Sequence, residues 1–168
     1  MPTDIKGWHQ GERAIQYKLG FGDEVRMRYT SVRPYMPEQH RVFHTSNLPF
    51  IPMTILDKSG RPWGSVFAGK GGEIGFVKSS DEVSMSMDLV SWKGDPLLRN
   101  LRDRRKGKKG RALVAGIGIE LPTRRRNKFA GWIQSSSIAS NTTDVHLKMH
   151  INQTLGFVKI HQFKSGWN

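Results

Sequence analysis

Cysteine, long apolar runs and a nucleotide-binding glycine motif are all missing from this chain of 168 residues. The lack of cysteine excludes disulfide bonds and thiolate metal sites. No segment approaches the ~20 apolar residues that a membrane-spanning helix needs, and residues 1–8 lack the apolar core of a secretory signal. There is no Gly-x-Gly-x-x-Gly helix to bind a dinucleotide. These absences predict a soluble, cytoplasmic protein with no membrane partner.

Acidic residues are scarce as well. The chain has 14 Asp and Glu against 27 Lys and Arg, which gives a net charge of +13 and a pI near 10.4. Such an excess indicates an anionic partner. The densest part, Arg102–Arg111, has seven basic residues, one acid and no apolar residue, and it predicts a loop. Both a nucleic-acid-binding segment and a solvated connection fit this composition, and the absence of interleaved aromatic residues favours the connection.

The remaining composition is typical of a single domain spanning residues 1–168, with 36% hydrophobic residues in 19.1 kDa. Apolar and polar residues alternate along Val83–Leu89 and again along Val145–Asn152, as they do in strands with one buried face. About six strands with two or three short helices predict a mainly β fold of the α+β class, as a barrel or curled sheet. The predicted strands are 50–56, 61–69, 74–77, 83–89, 112–120, 126–133 and 145–152. The predicted helices are 7–19, a shorter one within 34–45, and one from 96 to about 101; 135–143 is predicted to be a polar loop.

The strand Arg61–Gly69 carries the clearest functional signal. It follows the strand Phe50–Leu56 and a polar turn that ends in glycine, so the pair predicts a β-hairpin. Arg61 offers a cation, Trp63 an aromatic ring and Ser65 a hydroxyl, and Gly69 then leaves the backbone bare. This combination suits a flat, phosphorylated ligand, although an ordinary hairpin would also explain it.

A second segment supplies a cluster of cations. The apolar strand Ala112–Glu120 leads into the consecutive residues Arg124, Arg125 and Arg126, which we expect at a hairpin tip. Arginine binds phosphate through two parallel, charge-assisted hydrogen bonds. A solvated hairpin tip is the alternative interpretation of the same residues.

Taken in order along the chain, these segments resemble the pyridoxamine 5'-phosphate oxidase-like family of FMN-binding split β-barrels. The resemblance covers about Lys6–Gly156. Within the family, the chain is most similar to the subgroup whose members open with a Phe/Trp-His-x-Gly-Glu helix. The matching pieces are Trp8–Gln16, Arg33–Gln39, Arg61–Gly69, Gly94–Leu97 with Asn100-Leu101, and Gly116-Ile117 with Thr123–Asn127.

The resemblance implies a six-stranded split barrel that forms a homodimer, with FMN at the subunit interface. Arg61 and one or more of Arg124, Arg125 and Arg126 would bind the phosphate. Phe67 and the backbone of Ser65–Gly69 would line the flavin ring. The other cofactor-binding residues that the resemblance implies are Trp63, Val66, Asp95, Leu97 and Asn100; it implies neither a catalytic side chain nor a metal.

The function implied is that of an FMN-dependent oxidoreductase, which transfers hydride or electrons through the flavin. A nicotinamide donor or a separate reductase would supply the electrons. Two alternatives stay open: a polyanion-binding protein acting through Arg102–Arg111, and a barrel that has lost its cofactor. Leu97 stands where many relatives carry a phosphate-binding lysine, and the cysteine-containing stretch that usually follows the position of Gly156 is absent.

The histidines do not predict a metal site. His40 and His44 are four residues apart on a predicted helix, but Arg41 occupies the place of the glutamate in a zinc-protease motif. We therefore expect surface or capping roles for both. His146 and His150 share a strand face with a lysine and are expected to be solvated.

Overall fold

A computed structural model of the chain describes residues 10–20, 32–105, 111–139 and 143–156. Their helices are α1 (Gln10–Leu19), α2 (Glu38–Ser46) and α3 (Pro96–Arg105), with a 3-10 turn at Lys70–Gly72. The strands are β1 (Phe50–Leu56), β2 (Pro62–Ala68), β3 (Val77–Asp81), β4 (Ser84–Val90), β5 (Ala112–Glu120), β6 (Arg125–Ile138) and β7 (Asp144–Gly156). None of the helices in these ranges is long and apolar enough to cross a membrane.

Helix α1 belongs to a separate unit that ends at Val32. The sequence predicts its end correctly, because Gly20 follows the last helical residue with a φ of 70°. This left-handed conformation suits glycine and terminates helices. Glu12 in the first turn and Lys18 in the last turn complement the helix dipole. Residues 7–9 of the predicted helix lie outside the described residues.

The strands of the second unit form a closed antiparallel barrel of six strands, in the order β2-β1-β5-β6-β7-β4. The seam closes where Ala68 of β2 pairs with Val90 of β4. Strand β3 pairs with the free edge of β4 as a seventh strand. The mainly β, α+β barrel predicted from the sequence is therefore confirmed.

Alternation of side chains gives the barrel its interior. In β4, Met85, Met87 and Leu89 point inward, and in β7 the inward set is Val145, Leu147, Met149 and Ile151. Antiparallel pairing places Met87 opposite Leu147, so the two apolar rows meet. Leucines of α3 and Phe43 of α2 complete a single buried cluster. One apolar core therefore holds the strands and the two helices together.

Three sequence predictions about local structure are wrong. Strand β3 begins at Val77 rather than at Ile74, because Gly75 adopts a φ of 103° in a turn. Strand β6 continues through Ser135–Ile138, where a loop is predicted, since pairing with β7 satisfies its backbone while Ser135 and Ser137 are exposed to solvent. Helix α3 continues into the basic segment as far as Arg105. Residues 106–110 lie outside the described residues.

Helix α2 is fixed to the barrel by polar and apolar contacts. Arg41 pairs with Glu38 at 2.6 Å, and it donates through Nε to Ser79 Oγ at 3.2 Å. Phe43 is buried, whereas its neighbour Val42 is exposed. The helix thus lies against β3 and covers one end of the core.

Candidate functional site

The barrel seam carries a cleft of about 730 Å³. It opens where β2 meets β4 and β4 meets β7, at the aligned residues Ala68, Val90 and Asp144. Its lining residues are Val66, Ala68, Gly69, Lys70, Gly71, Gly72, Val90, Ser91, Trp92, Lys93, Thr143 and Asp144.

One wall of the cleft is a glycine-rich turn. Gly69 must lack a side chain, because a Cβ there would stand 2.6 Å from the Cβ of Phe76. Gly71 and Gly72 have φ values of 76° and 73°, which other residues rarely adopt. The Gly72 N–H donates to Gly69 O at 3.0 Å and closes the turn. This wall therefore presents backbone rather than side chains to anything in the cleft.

The opposite wall is the loop Ser91–Lys93. The Ser91 N–H donates to Thr143 O at 2.8 Å, which ties the loop to the start of β7. The Ser91 hydroxyl is buried and has no hydrogen-bond partner among the described residues. Trp92 is 76% exposed, and an aromatic side chain that large is seldom left uncovered. A free hydroxyl and an open ring beside a cleft are features of a ligand site.

Asp95 holds this loop in place. Its side-chain Oδ1 accepts from the Leu97 N–H at 2.7 Å, and its own N–H donates to Trp92 O at 2.9 Å. This bond caps the N-terminus of α3. The residue therefore positions Trp92 and does not itself line the cleft.

Strand β2 faces the cleft with Val66. Phe67, expected to line the flavin ring, lies on the opposite face of the strand. Val66 lines the cleft and is 56% exposed. Phe67 points into the barrel and is 1% exposed, so its side chain cannot lie against a ring in the cleft. Ser65 lies two residues before Phe67, so its side chain is on the same inner face of the strand, and it does not line the cleft.

Arg61 and Trp63 lie at the other end of β2. The Asp57 carboxylate accepts from Arg61 Nε at 2.8 Å and from Trp63 Nε1 at 3.1 Å. Desolvation opposes ionisation of Asp57, but hydrogen bonds from Arg61, Trp63 and Ser59 together lower its pKa. With a rise of ~3.3 Å per residue, Arg61 is roughly 25 Å along the strand from Gly69. Both side chains therefore stabilise the hairpin tip and are remote from the cleft of their own chain.

The three arginines occupy the tip of the β5–β6 hairpin. Arg124 is exposed with a φ of 58°, and its N–H donates to Leu121 O at 3.3 Å. Arg125 donates to Gln39 O at 3.0 Å and lies 4.6 Å above the ring of Phe43, so it attaches the tip to α2. Arg126 is exposed. None of the three lines the cleft.

Arg61 and the arginines also lie at opposite barrel ends. Met53 of β1 pairs with Gly116 and Ile55 pairs with Val114, so the tip at Arg61 faces the start of β5 and not its end. One chain cannot bring both groups to a single phosphate.

Leu97 and Asn100 of α3 are buried. Leu97 is 1% exposed and belongs to the apolar core. Asn100 is buried too, and its Nδ2 has no hydrogen-bond partner within the described ranges. Helix α3 packs against β2, so both side chains face the barrel and not the cleft.

Sequence reasoning misses Lys70, Ser91, Trp92 and Lys93, which complete the cleft. The visible signal is the run Gly69-Lys70-Gly71-Gly72, since clustered glycines often mark a close backbone approach. Trp92 and Lys93 precede Gly94-Asp95, a pair that the resemblance includes. Their joint position depends on strand register, which no local pattern reveals.

His40 and His44 are buried, which contradicts the prediction of surface or capping roles. Burial, and then the nearby Arg125 and Arg33, lower the pKa of His40. Burial, His40 and Arg125 lower the pKa of His44 to about 3. Both imidazoles are therefore neutral at pH 7.

The two histidines meet Asn127 around Gly118 and Gly156. A Cβ on Gly156 would stand 2.3 Å from Asn127 Oδ1 and 2.4 Å from His40 Nε2. Both side-chain polar atoms of Asn127 and both ring nitrogens of His44 lack hydrogen-bond partners among the residues described. Within that part of the chain, no three His, Cys, Asp or Glu side chains are grouped to hold a metal.

Comparisons with known proteins give similarities of shape at low identity. No protein-family model and no curated protein sequence matches the chain. Among solved structures, HupZ from Group A Streptococcus has 9% identity and a TM-score of 0.48, covering 73% of this chain and 94% of that one. A histidine-to-alanine variant of HupZ has 6% identity and a TM-score of 0.47, with 73% and 99% covered. An F420 reductase has 10% identity and a TM-score of 0.48, covering 71% of this chain and 98% of that one.

Proposed function

We propose that the chain is an FMN-binding oxidoreductase of the split-barrel type, with the cofactor in the seam cleft. The observation that carries this proposal is the cleft itself. It combines a bare backbone wall at Gly69–Gly72, a buried Ser91 hydroxyl without a partner, and the open ring of Trp92.

The residues present fit a flavin. The volume of about 730 Å³ is within the range of roughly 300–1,000 Å³ that is typical of small-molecule sites. Val66 and Trp92 would supply apolar contact for the ring system, and the backbone of Ala68-Gly69 would lie along its edge.

The phosphate would be bound by the two lysines of the cleft. Lys70 lies within the glycine turn, between Gly69 and Gly71, and Lys93 follows Trp92; both lysines are exposed. Ammonium groups bind phosphate as point charges. In this arrangement Lys93 takes the role of the lysine that Leu97 replaces in the family pattern.

A bound flavin supplies hydride or single-electron transfer, and the protein supplies binding, orientation and electrostatics. Trp92 and Val66 cover the ring from water, while the lysines fix the phosphate end. A nicotinamide donor or a separate reductase delivers the electrons. This division of roles requires no protein nucleophile.

We further propose a homodimer, which would give the exposed arginines a role. Arg124 and Arg126 are solvent-exposed and do not line the cleft of their own chain. In a dimer they would be available to the cofactor of the partner. Arg125 would not, because it is already bound to Gln39 and Phe43.

Replacing Trp92 with alanine is expected to weaken the binding of FMN and riboflavin alike, by about tenfold. The reason is that stacking on the ring contributes roughly 0.5–1.5 kcal/mol beyond the burial of area. Fluorescence titration of the purified protein with each flavin measures the change.

Trp63→Ala is the matched control, because that ring lies at the far end of β2 and donates to Asp57. We expect its flavin affinities to stay within twofold of the original. If Trp63→Ala weakens flavin binding and Trp92→Ala does not, the cofactor lies elsewhere on β2. A protein that binds neither flavin contradicts the proposed function itself.

A further inference from the structure

Asp88 and His146 form a close pair on the outer face of the barrel. They are direct partners across β4 and β7, and His146 Nδ1 lies 2.6 Å from Asp88 Oδ1. Both side chains are about half exposed. A carboxylate bound to Nδ1 orients an imidazole and leaves its other nitrogen free for chemistry.

The pair lines a groove of about 290 Å³ that adjoins the seam cleft. The groove and the cleft share Lys70, Val90 and Asp144. A molecule in the groove would therefore lie beside a molecule in the cleft. The groove is large enough for a small substrate but too small for a flavin and its phosphate.

The charges around the pair keep Asp88 ionised. The hydrogen bond from His146, and then the ion pair with Lys78 at 3.1 Å, lower the pKa of Asp88 against the effect of desolvation. An ionised carboxylate stabilises a positively charged imidazole. Asp88 therefore presents a carboxylate to Nδ1 of His146.

The other charged neighbours come from three elements. Lys70 lies on the 3-10 turn, Lys78 on β3, and Asp144 and Lys148 on β7 two residues on either side of His146. Strand β6 contributes only the uncharged Ser137, which pairs with His146. Charges of both signs therefore surround the imidazole.

We propose that His146, oriented by Asp88, is the acid–base residue of the same site and that the groove binds the electron acceptor. The acceptor would be a small conjugated ketone or a molecule of similar chemistry. This inference rests on the proposed function, since it requires a reduced flavin in the neighbouring cleft.

The reaction balances with the groups named. The acceptor takes a hydride from the reduced flavin at its β-carbon, and the flavin is oxidised. The electron pair of the carbon–carbon double bond moves to the α-carbon, which takes the proton from His146 Nε2. The product is the saturated ketone. His146 regains a proton from water, and a reduced nicotinamide donor supplies the next hydride.

The test uses the FMN-loaded full chain, reduced with dithionite and mixed anaerobically with 2-cyclohexen-1-one or with ferricyanide. Ferricyanide takes electrons without a proton, so its rate reports the flavin alone. His146→Gln should slow oxidation by the enone about a hundredfold, because general acids contribute roughly 10²–10⁴ in rate. Oxidation by ferricyanide and the affinity for FMN should not change.

His150→Gln is the matched control. His150 lies four residues along β7 on the same outward face and stacks on Trp132 at 4.1 Å, outside the groove. We expect its enone rate to equal that of the unmodified chain. Asp88→Asn should slow the enone reaction as well, because the amide cannot stabilise a charged imidazole.

A second readout does not depend on turnover. Adding the enone to the oxidised, FMN-loaded protein should shift the NMR signal of His146 Cε1–H and leave that of His150 in place. Equal enone rates for His146→Gln and His150→Gln, or an unshifted His146 signal, would overturn the assignment while the flavin site stands. Failure to bind FMN would instead contradict the proposed function.

Discussion

Gly131→Ala is expected to prevent folding or to lower the free energy of unfolding by more than about 4 kcal/mol. A Cβ at this position would stand 1.9 Å from the carbonyl oxygen of His150 and 3.0 Å from the Cα of Ile151. Both atoms belong to backbone, so no side-chain rotation relieves the clash. The position also follows a bulge in the β6–β7 pairing. Soluble yield and urea unfolding measure the effect.

Gly64→Ala is the control for a strand glycine. Its added Cβ would meet no atom closer than Thr54 Oγ1 at 4.0 Å. We expect a change within about 0.5 kcal/mol, because exposed strand positions tolerate alanine. If Gly131→Ala were equally mild, the pairing of β6 with β7 would differ from the register described above.

His44→Leu is expected to be at least as stable as the original chain at pH 7 and clearly more stable at pH 5. Both ring nitrogens of His44 are buried without partners, so an apolar side chain removes an unfavourable group. The folded-state pKa of about 3 lies below the ordinary histidine value of 6.5. The unfolded chain therefore binds a proton that the folded chain excludes, and stability falls as the pH drops below 6.5.

With those two pKa values, His44 alone makes the original chain lose about 2 kcal/mol between pH 7 and pH 5. The lowered pKa of His40 acts in the same direction and is present in both proteins. Urea unfolding of both at the two pH values measures the difference. His150→Leu removes an imidazole that is only partly buried, and it serves as the control. Parallel pH curves for His44→Leu and the original chain would contradict the neutral, buried state of His44.

The sequence predicts the strands well where alternation or a mostly apolar run marks them, as in Phe50–Leu56 and Ala112–Glu120, and poorly where neither is present. Val83–Leu89 and Val145–Asn152 alternate, and each lies within an observed strand or overlaps one closely. Residues 135–138 are mostly serine and show no alternating apolar pattern, so their sequence predicts a loop rather than a paired strand. Backbone hydrogen bonds to β7 stabilise this part of the strand, and these bonds do not depend on the serine side chains.

The sequence predicts the candidate site only in part. Which residues line the cleft depends on which face of each strand points outward and on how the strands pair. Val66 and Phe67 are neighbours of equally apolar character, and only the barrel determines which one faces outward. Asp57 lies in the same turn as Arg61 and forms an ion pair with it. This local pair holds the arginine at the hairpin tip, away from the cleft. Trp92 and Lys93 reach the glycine turn only through closure of β2 on β4.

The affinities for FMN and riboflavin of a Lys70→Gln/Lys93→Gln double variant test the central proposal most directly. Glutamine keeps polarity and approximate length but removes the charges that would bind the phosphate. We expect FMN binding to weaken about a hundredfold, which corresponds to ~2.7 kcal/mol, because two charge-assisted contacts are lost. Riboflavin, which lacks the phosphate, should bind within twofold of the original chain, and Arg61→Gln should leave both affinities unchanged. Equal losses for the two flavins, or an unchanged FMN affinity, would contradict a phosphate site at these lysines.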